Sequence, residues 1–420
     1  MAFNMLTRAM VDSVTITIND PNITGVRKCN SVVLENGSVM DLFCSDNPPQ
    51  SELERAVRGT VFVGESMVVR GFPYNVEMVV EEEDGGKAEE ELAKFMDAAM
   101  GHLKIYRAIE GTLIRVFNYD GKWFISTHRK LDANKSRWGN GKSFGETFEG
   151  AVKAVGLSMD NFLLRLDKAY CYTFLMTSTM ETYFVCEPQH EPNLFVYAVT
   201  KLNPSTNENE WVDVSLDDIN IPRQPQLDLN AFEIIQWTKQ LNFPFDHAGI
   251  LILNSKTFET LKVINKAYSY FYGLRQNEAS IPFAYLGIFG NDVDALNFKK
   301  LYPHVMDRLN QYDELIDDLI HELYNLYVRR FIRKENFTTF APKHFILNNH
   351  IHRWFMDHNP KDRKRTLPVT ADVVRAIVMN DIEPSILNKC LNNARREEAV
   401  KTKYGSSASS LLSSSFSLSS

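Results

Sequence analysis

Residues 106–133 read YRAIEGTLIRVFNYDGKWFISTHRKLDA, and their pattern decides the class of the fold. Strand-forming residues run on both sides of Asp120-Gly121. That dipeptide suits a two-residue β-turn, whose central positions need a positive φ that Gly and Asp adopt at low cost. The segment therefore predicts an antiparallel hairpin. It is preceded by Ala108-Ile109-Glu110-Gly111 and followed by a polar, basic run with Ser126, Arg129 and Lys130.

Working outward, AVRGTVFVGESMVVRGF at 56–72 predicts a second hairpin turning at Gly64-Glu65-Ser66. An acidic loop over 81–86 leads to a helix with Leu92, Phe95, Met96 and Met100 on one face. Downstream, AYCYTFLMTST, TYFVCE and LFVYAVTKL predict strands. Polar NPSTNENE and Pro-rich INIPRQPQ then separate them from a helix over 232–240 and from two more strand-like runs, HAGILILN and FETLKVINKAY. This is an α+β pattern with an antiparallel core and flanking helices. From about Gly273 apolar residues recur at three and four positions through YPHVMDRLNQYDELIDDLIHELYNLYVRRFIRK, which predicts an all-α C-terminal domain. The expected boundaries are 1–272, 273–403, and a serine-rich tail over 404–420 that cannot bury enough apolar surface to fold.

Composition narrows the function classes. Of 420 residues, 44% are hydrophobic and 24% charged, ordinary for a globular protein with real cores. With 46 basic and 53 acidic residues the net charge is -7, so any polyanion must be held by a local patch. Cys29, Cys44, Cys171, Cys186 and Cys390 stand singly without CxxC spacing, which predicts reduced thiols and neither a zinc cluster nor a disulfide framework. No run approaches the roughly 18 apolar residues of a membrane helix, and the N-terminus lacks a signal-peptide pattern. The expectation is a soluble intracellular protein, not secreted and without a membrane partner.

Several stretches, in order along the chain, carry a family resemblance. Ala108-Ile109-Glu110-Gly111, VRGTVF with Arg58, STHRKLDA, YTFLMTST, TYFVCEP, DHAGILI and LKVINKAY together resemble the motifs of covalent nucleotidyltransferases. The chain is similar to phage-type RNA ligases, and more specifically to RNA-ligase-like proteins of large eukaryotic DNA viruses, over roughly residues 55–268. The resemblance implies a ligase-type antiparallel β core followed by a helical domain, ATP with Mg²⁺ as cofactors, and RNA as partner, in the host cytoplasm or virus factory. It implies nucleotide contacts at Arg58, Glu110, Gly111, Ser126 and Lys262, and RNA contacts at Arg129 and Lys130.

The departures from those motifs matter as much. Where the family has its nucleophilic lysine this chain has Ala108, so no catalytic residue is assigned. Leu175 and Ala248 stand where the family has two acids, and Ile264 stands where it has a second cation on the α-phosphate. All four replacements are apolar. Once one member of a buried charged cluster is lost, the others become costly, so their joint loss fits a pocket that no longer does this chemistry. Lys104, four residues before Ala108, would lie roughly 13 Å away along a strand, and Arg107 points to the opposite face.

Three readings follow: a binding module for nucleotide or RNA that has lost self-adenylation, an active ATP-dependent RNA ligase joining 5′-phosphate and 3′-hydroxyl ends, and a scaffold. His344, His350, His352 and His358 lack a helical i, i+4 ligand pair, so no metal site is expected. The basic runs RRFIRK and KDRKR suit either phosphate contact or a solvated helix end.

Overall fold

The Asp120-Gly121 turn forms as its residues require, with φ of 50° and 79°. It joins β7 (Gly111–Tyr119) to β8 (Lys122–Ser126). The computed structural model describes residues 6–16, 25–45, 49–81, 83, 86–138, 141–180, 182, 184–188, 193–335, 342–359 and 367–392. The chain divides into two compact units, residues 1–272 and 273–420.

The first unit holds three sheets. The first runs in the order β1 (Val26–Val33), β2 (Val39–Ser45), β3 (Thr60–Val63), β4 (Ser66–Val69), and its last pair is the hairpin turning at Gly64. The second adds β9 (Cys171–Thr177), β10 (Leu194–Asn203) and β11 (Glu208–Trp211) to the central hairpin, in the order β11-β10-β9-β7-β8. The third contains β5 (Val76–Val80), β6 (Leu103–Arg107), β12 (Ile250–Asn254) and β13 (Thr260–Asn265), in the order β5-β13-β12-β6. Neighbours are antiparallel except β5 and β13. The expected α+β class with an antiparallel core holds.

Strand alternation sorts the side chains into layers. Ile105, Ile250, Ile252 and Val263 turn one face of the third sheet onto the helices Lys87–Ala98 and Ala231–Gln240, meeting Leu92, Ile234 and Ile235. Ile114, Val116, Phe174 and Met176 turn one face of the second sheet onto the helices Phe144–Ala154 and Met159–Leu164. The opposite faces meet in an apolar layer of Phe72, Tyr106, Leu175, Phe195, Tyr197, Leu253 and Phe258. Burying each such side chain contributes about 1.5–3 kcal/mol. The helices start where the sequence caps them: Ser143 with Glu146, and Asn230 with Glu233, form capping boxes.

Three expectations need correction. TYFVCE is not a strand among its described residues, because the backbone N–H groups of Phe184, Val185 and Cys186 donate to the Glu110 carboxylate and not to a ladder. FETLKVINKAY is a strand only to Asn265. There the Asn265 side chain accepts the Tyr268 N–H at 2.8 Å and starts the helix Lys266–Arg275. Met100 lies beyond the end of its helix and is exposed.

The second unit is helical, with Ile281–Leu286, Asp292–Leu301, Met306–Tyr327, Pro342–His358 and Ala371–Asn380. Met306–Tyr327 buries Leu309, Tyr312, Ile316, Leu319, Ile320, Leu323 and Tyr327, the expected three-and-four spacing. The KDRKR run and the serine-rich tail lie outside the described residues. Among the described residues no helix is long and apolar enough to cross a membrane.

Candidate functional site

Ala108, Leu175, Ala248 and Ile264 come from distant stretches of chain, and the register of the third sheet brings Ala108, Ala248 and Ile264 together while Leu175 lies on the second sheet. Across β6, β12 and β13, Arg107 faces Ile250 and Ile250 faces Val263. One residue further, the Ala108 N–H donates to the Gly249 carbonyl at 2.7 Å, and the Ala248 N–H donates to the Ala108 carbonyl at 2.8 Å. Ala248 and Gly249 thus both oppose Ala108 in a bulge-like irregularity. Gly249 has φ of 139°, and a Cβ there would sit 2.0 Å from the Val263 carbonyl oxygen, so only glycine fits. Continuing the register puts Ile264 across from Gly249. Leu175, on β9 between Leu113 and Phe195, enters the apolar layer with Tyr106 and Leu251. Ala108, Leu175, Ala248 and Ile264 are all buried.

The nearby basic side chains are engaged elsewhere. The Lys104 ammonium lies 5.1 Å over the Trp211 ring. Arg107 points to the other face, 5.3 Å over Trp237 and 3.8 Å from Asp246. The Lys262 ammonium sits 3.5 Å from the Glu77 carboxylate and 4.8 Å over the Tyr268 ring. Lys262 is two strands across and one pair along from Ala108, about 12 Å between Cα atoms from ordinary strand spacings.

Glu110 is an anchor. Its carboxylate accepts the N–H groups of Phe184, Val185 and Cys186 at 3.2, 3.0 and 3.1 Å, and the Tyr268 hydroxyl at 2.9 Å. Both oxygens are occupied, which sets this geometry apart from the ribose contact that the motif implies. Gly111 opposes Thr177 across β7 and β9, and a Cβ there would lie 2.3 Å from the Met176 carbonyl oxygen, so this residue serves close strand approach.

Cations gather beside the first two sheets. The Arg58 guanidinium lies 4.9 Å over the Tyr74 ring, and its buried Nε has no hydrogen-bond partner among the described residues. Arg115 is buried, donating to the Gly59 and Thr127 carbonyls and leaving its Nε without a partner among the described residues. Desolvation draws its pKa down to about 10. Burial, followed by Arg58, Arg129 and Arg115, pushes His128 down to about 2, so it is neutral. Arg129 donates to the Ser45 carbonyl at 3.4 Å. Ser126 opposes Arg115 across the hairpin and its buried Oγ has no partner among the described residues. Lys130 is half-buried, with its backbone N–H on Thr127 Oγ1 at 3.1 Å. Arg58, Arg115, His128 and Thr173 line a cavity of about 20 Å³, room for about one water.

Cys44 belongs to the same cluster. A hydrogen bond from the Cys29 thiol, then one with Tyr74 and the charges of Arg129 and Arg58, outweigh burial and bring its pKa to about 6. Arg115, His128, Cys44 and Tyr74 were not found by sequence reasoning; only Arg115 carried a signal, a charge at an inward position of an otherwise apolar strand.

The remaining candidates stay apart from this cluster. His352 stacks on Phe331 at 3.9 Å, His358 Nδ1 lies 2.9 Å from the Trp354 carbonyl, and the side chain of His344 is outside the described residues. Among the described residues no group of three or more His, Cys, Asp or Glu side chains could hold a metal ion. In RRFIRK, Arg329 and Arg333 pair with Glu335, and Arg330 donates to Asn349.

No protein-family model matches the chain. Over 390 residues it is 38% identical to the immediate-early protein ICP-46 homolog of Invertebrate iridescent virus 6, covering 89% of this chain and 84% of the relative. It is 31% identical over 283 residues to the ICP-46 homolog of Invertebrate iridescent virus 3, covering 66% of this chain and 60% of that relative. Among solved structures it is similar to an archaeal ATP-dependent RNA ligase, at 14% identity and TM-score 0.38, over 69% of this chain and 71% of the ligase. A putative ATP-dependent DNA ligase from Aquifex aeolicus gives 14% identity and TM-score 0.37 over 73% and 77%. A mutant of the Naegleria gruberi RNA ligase with AMP and Mn gives 11% and 0.30 over 60% and 78%.

Proposed function

The chain belongs to the iridescent-virus family of immediate-early protein ICP-46 homologues, and from that premise we propose that it is a nucleotide- or RNA-binding module on a ligase-type core that does not adenylate itself. The observation that carries the reading is the burial of the Ala108 methyl group against Gly249, in a row that continues to Ile264, with Lys104 and Lys262 committed elsewhere. A lysyl-adenylate needs an amine there.

The chain's residues fit part of the chemistry of ATP and Mg²⁺. Arg58, Arg129 and Lys130, backed by Arg115 and Ser126, are donors suited to phosphate oxygens, and an orphaned guanidinium Nε is satisfied by such a ligand. Lys262 supplies a further cation on the sheet face that carries Ala108. The acid that would support a metal is replaced by Ala248 and the acid near the ribose by Leu175, and Glu110 is occupied by the 184–186 backbone, so no metal-assisted step is assigned. We place the phosphate site within residues 1–272 and propose a separate helical domain over 273–403. The expected place of action is the host cytoplasm or virus factory.

The test is a titration of the full chain with fluorescent single-stranded RNA at several salt concentrations, comparing 5′-phosphate with 5′-hydroxyl ends. Salt-dependent binding that favours the phosphate supports the module. Absence of any affinity for RNA or ATP leaves the scaffold reading.

A further inference from the structure

Two thiols meet beside the arginines. Cys29 is the extra residue in β1 between the Lys28–Phe43 and Asn30–Leu42 pairs, and Cys44 faces Arg27 from β2. The Cys29 sulfur lies 3.5 Å from the Arg27 carbonyl oxygen and 4.0 Å from the Cys44 carbonyl oxygen, and its hydrogen bonding is the largest influence that lowers the Cys44 pKa. On the other side the Tyr74 hydroxyl stands 3.5 Å from the Cys44 sulfur and 2.8 Å from the Ser45 carbonyl. Arg58 covers the Tyr74 ring and Arg129 reaches the same Ser45 carbonyl. Two hydrogen-bonding groups and two guanidiniums around one sulfur favour its thiolate, the reactive form. Burial instead pushes Cys171 up to about 11 and Cys186 well above the thiol range, so both are poor nucleophiles.

We infer that Cys29 and Cys44 form a redox-active dithiol, which hydrogen peroxide closes to a disulfide and a reducing dithiol reopens. The Cys44 thiolate attacks the peroxide O–O bond; an S–O bond forms, and hydroxide leaves and takes a proton from solvent to become water. Sulfur is oxidised to the sulfenic acid and the peroxide is reduced. The Cys29 sulfur then attacks the sulfenic sulfur; the S–S bond forms, and hydroxide departs with the Cys29 proton as a second water. Cys29 is partly exposed and Cys44 buried, an arrangement that suits a small oxidant and a resolving thiol already in place. Closure also removes a negative charge from beside Arg58 and Arg129. The dithiol chemistry does not depend on whether the chain binds RNA.

The test treats the full chain with hydrogen peroxide, blocks remaining thiols with N-ethylmaleimide under denaturing conditions, and maps the peptides by mass spectrometry. The expected product is a peptide pair joining Cys29 to Cys44 that disappears after dithiothreitol, with Cys171, Cys186 and Cys390 blocked. In Cys29→Ser, dimedone is expected to capture Cys44 as the sulfenic acid. Recovery of both Cys29 and Cys44 as blocked thiols, at a peroxide dose that fully oxidises free cysteine, overturns the inference. So does a disulfide that joins either of them to another cysteine.

Discussion

The Tyr268 hydroxyl lies 2.9 Å from Oε1 of Glu110, tying the start of the helix Lys266–Arg275 to the residue that also holds the 184–186 backbone. A carboxylate accepting several hydrogen bonds stabilises more than a neutral pair does. Glu110→Ala is therefore expected to cost about 3 kcal/mol, and Tyr268→Phe about 1–2 kcal/mol, in urea unfolding. The double variant should cost less than the sum. Additive losses would show that the two side chains act independently.

His128 gives the stability curve a definite acid limb. Its pKa is about 2 in the folded chain against 6.5 as the ordinary value, so below pH 6.5 the unfolded state takes up a proton that the folded state refuses. Its contribution is fully present above pH 6.5 and declines as pH falls toward 2, by at most about 1.4 kcal/mol per pH unit. His128→Asn should flatten the unfolding free energy between pH 6.5 and 4. An unchanged slope would remove His128 as the cause.

The arginine cluster predicts a graded loss of RNA affinity. Each lost phosphate contact lowers the salt slope by about 0.7 for a single strand. Arg58→Ala should weaken binding about 10-fold, and Arg129→Ala with Lys130→Ala should weaken it more and reduce the slope by about 1.4. The phosphate preference should fall in parallel. Equal binding by these variants would place the RNA elsewhere on the chain.

Cys44 predicts a pH profile for alkylation. Its reaction with iodoacetamide should reach half its maximal rate near pH 6, following its pKa of about 6. Tyr74→Phe should move that midpoint upward, since it removes one hydrogen bond that lowers the pKa. A profile centred near the ordinary thiol value in the native chain would contradict the described environment.

How much of this was legible depends on sequence separation. Asp120-Gly121 and Gly64 set their turns locally, and the helices from about Gly273 follow from spacing alone. Asn36-Gly37, with φ of 81° at Gly37, is a comparable local signal for the β1–β2 hairpin. The role of Glu110 depends on backbone groups 74 to 76 residues away, and no local propensity encodes such a pairing. Cys44, Tyr74, Arg115 and His128 are likewise brought together by the meeting of two sheets. The motif positions rest on a family resemblance, which offers a long-range order that local physics lacks.

A lysine placed at position 108 isolates the claim from its single missing atom group. Ala108→Lys buries an ammonium without a carboxylate partner, so a stability loss of about 2–4 kcal/mol is expected. Ligation should not appear, because Leu175, Ala248 and Ile264 still lack the charges that would act with it. Joining of RNA ends by this variant would show that those three positions are not the family's acids and cation.

The most direct test of the account is a self-adenylation assay on the native chain. The full-length protein is incubated with α-³²P-labelled ATP and magnesium, denatured, and resolved by gel electrophoresis, with an active RNA ligase as the positive control. No label should migrate with the chain. A labelled band stable to denaturation but released by acid, as a phosphoramidate is, would contradict the account.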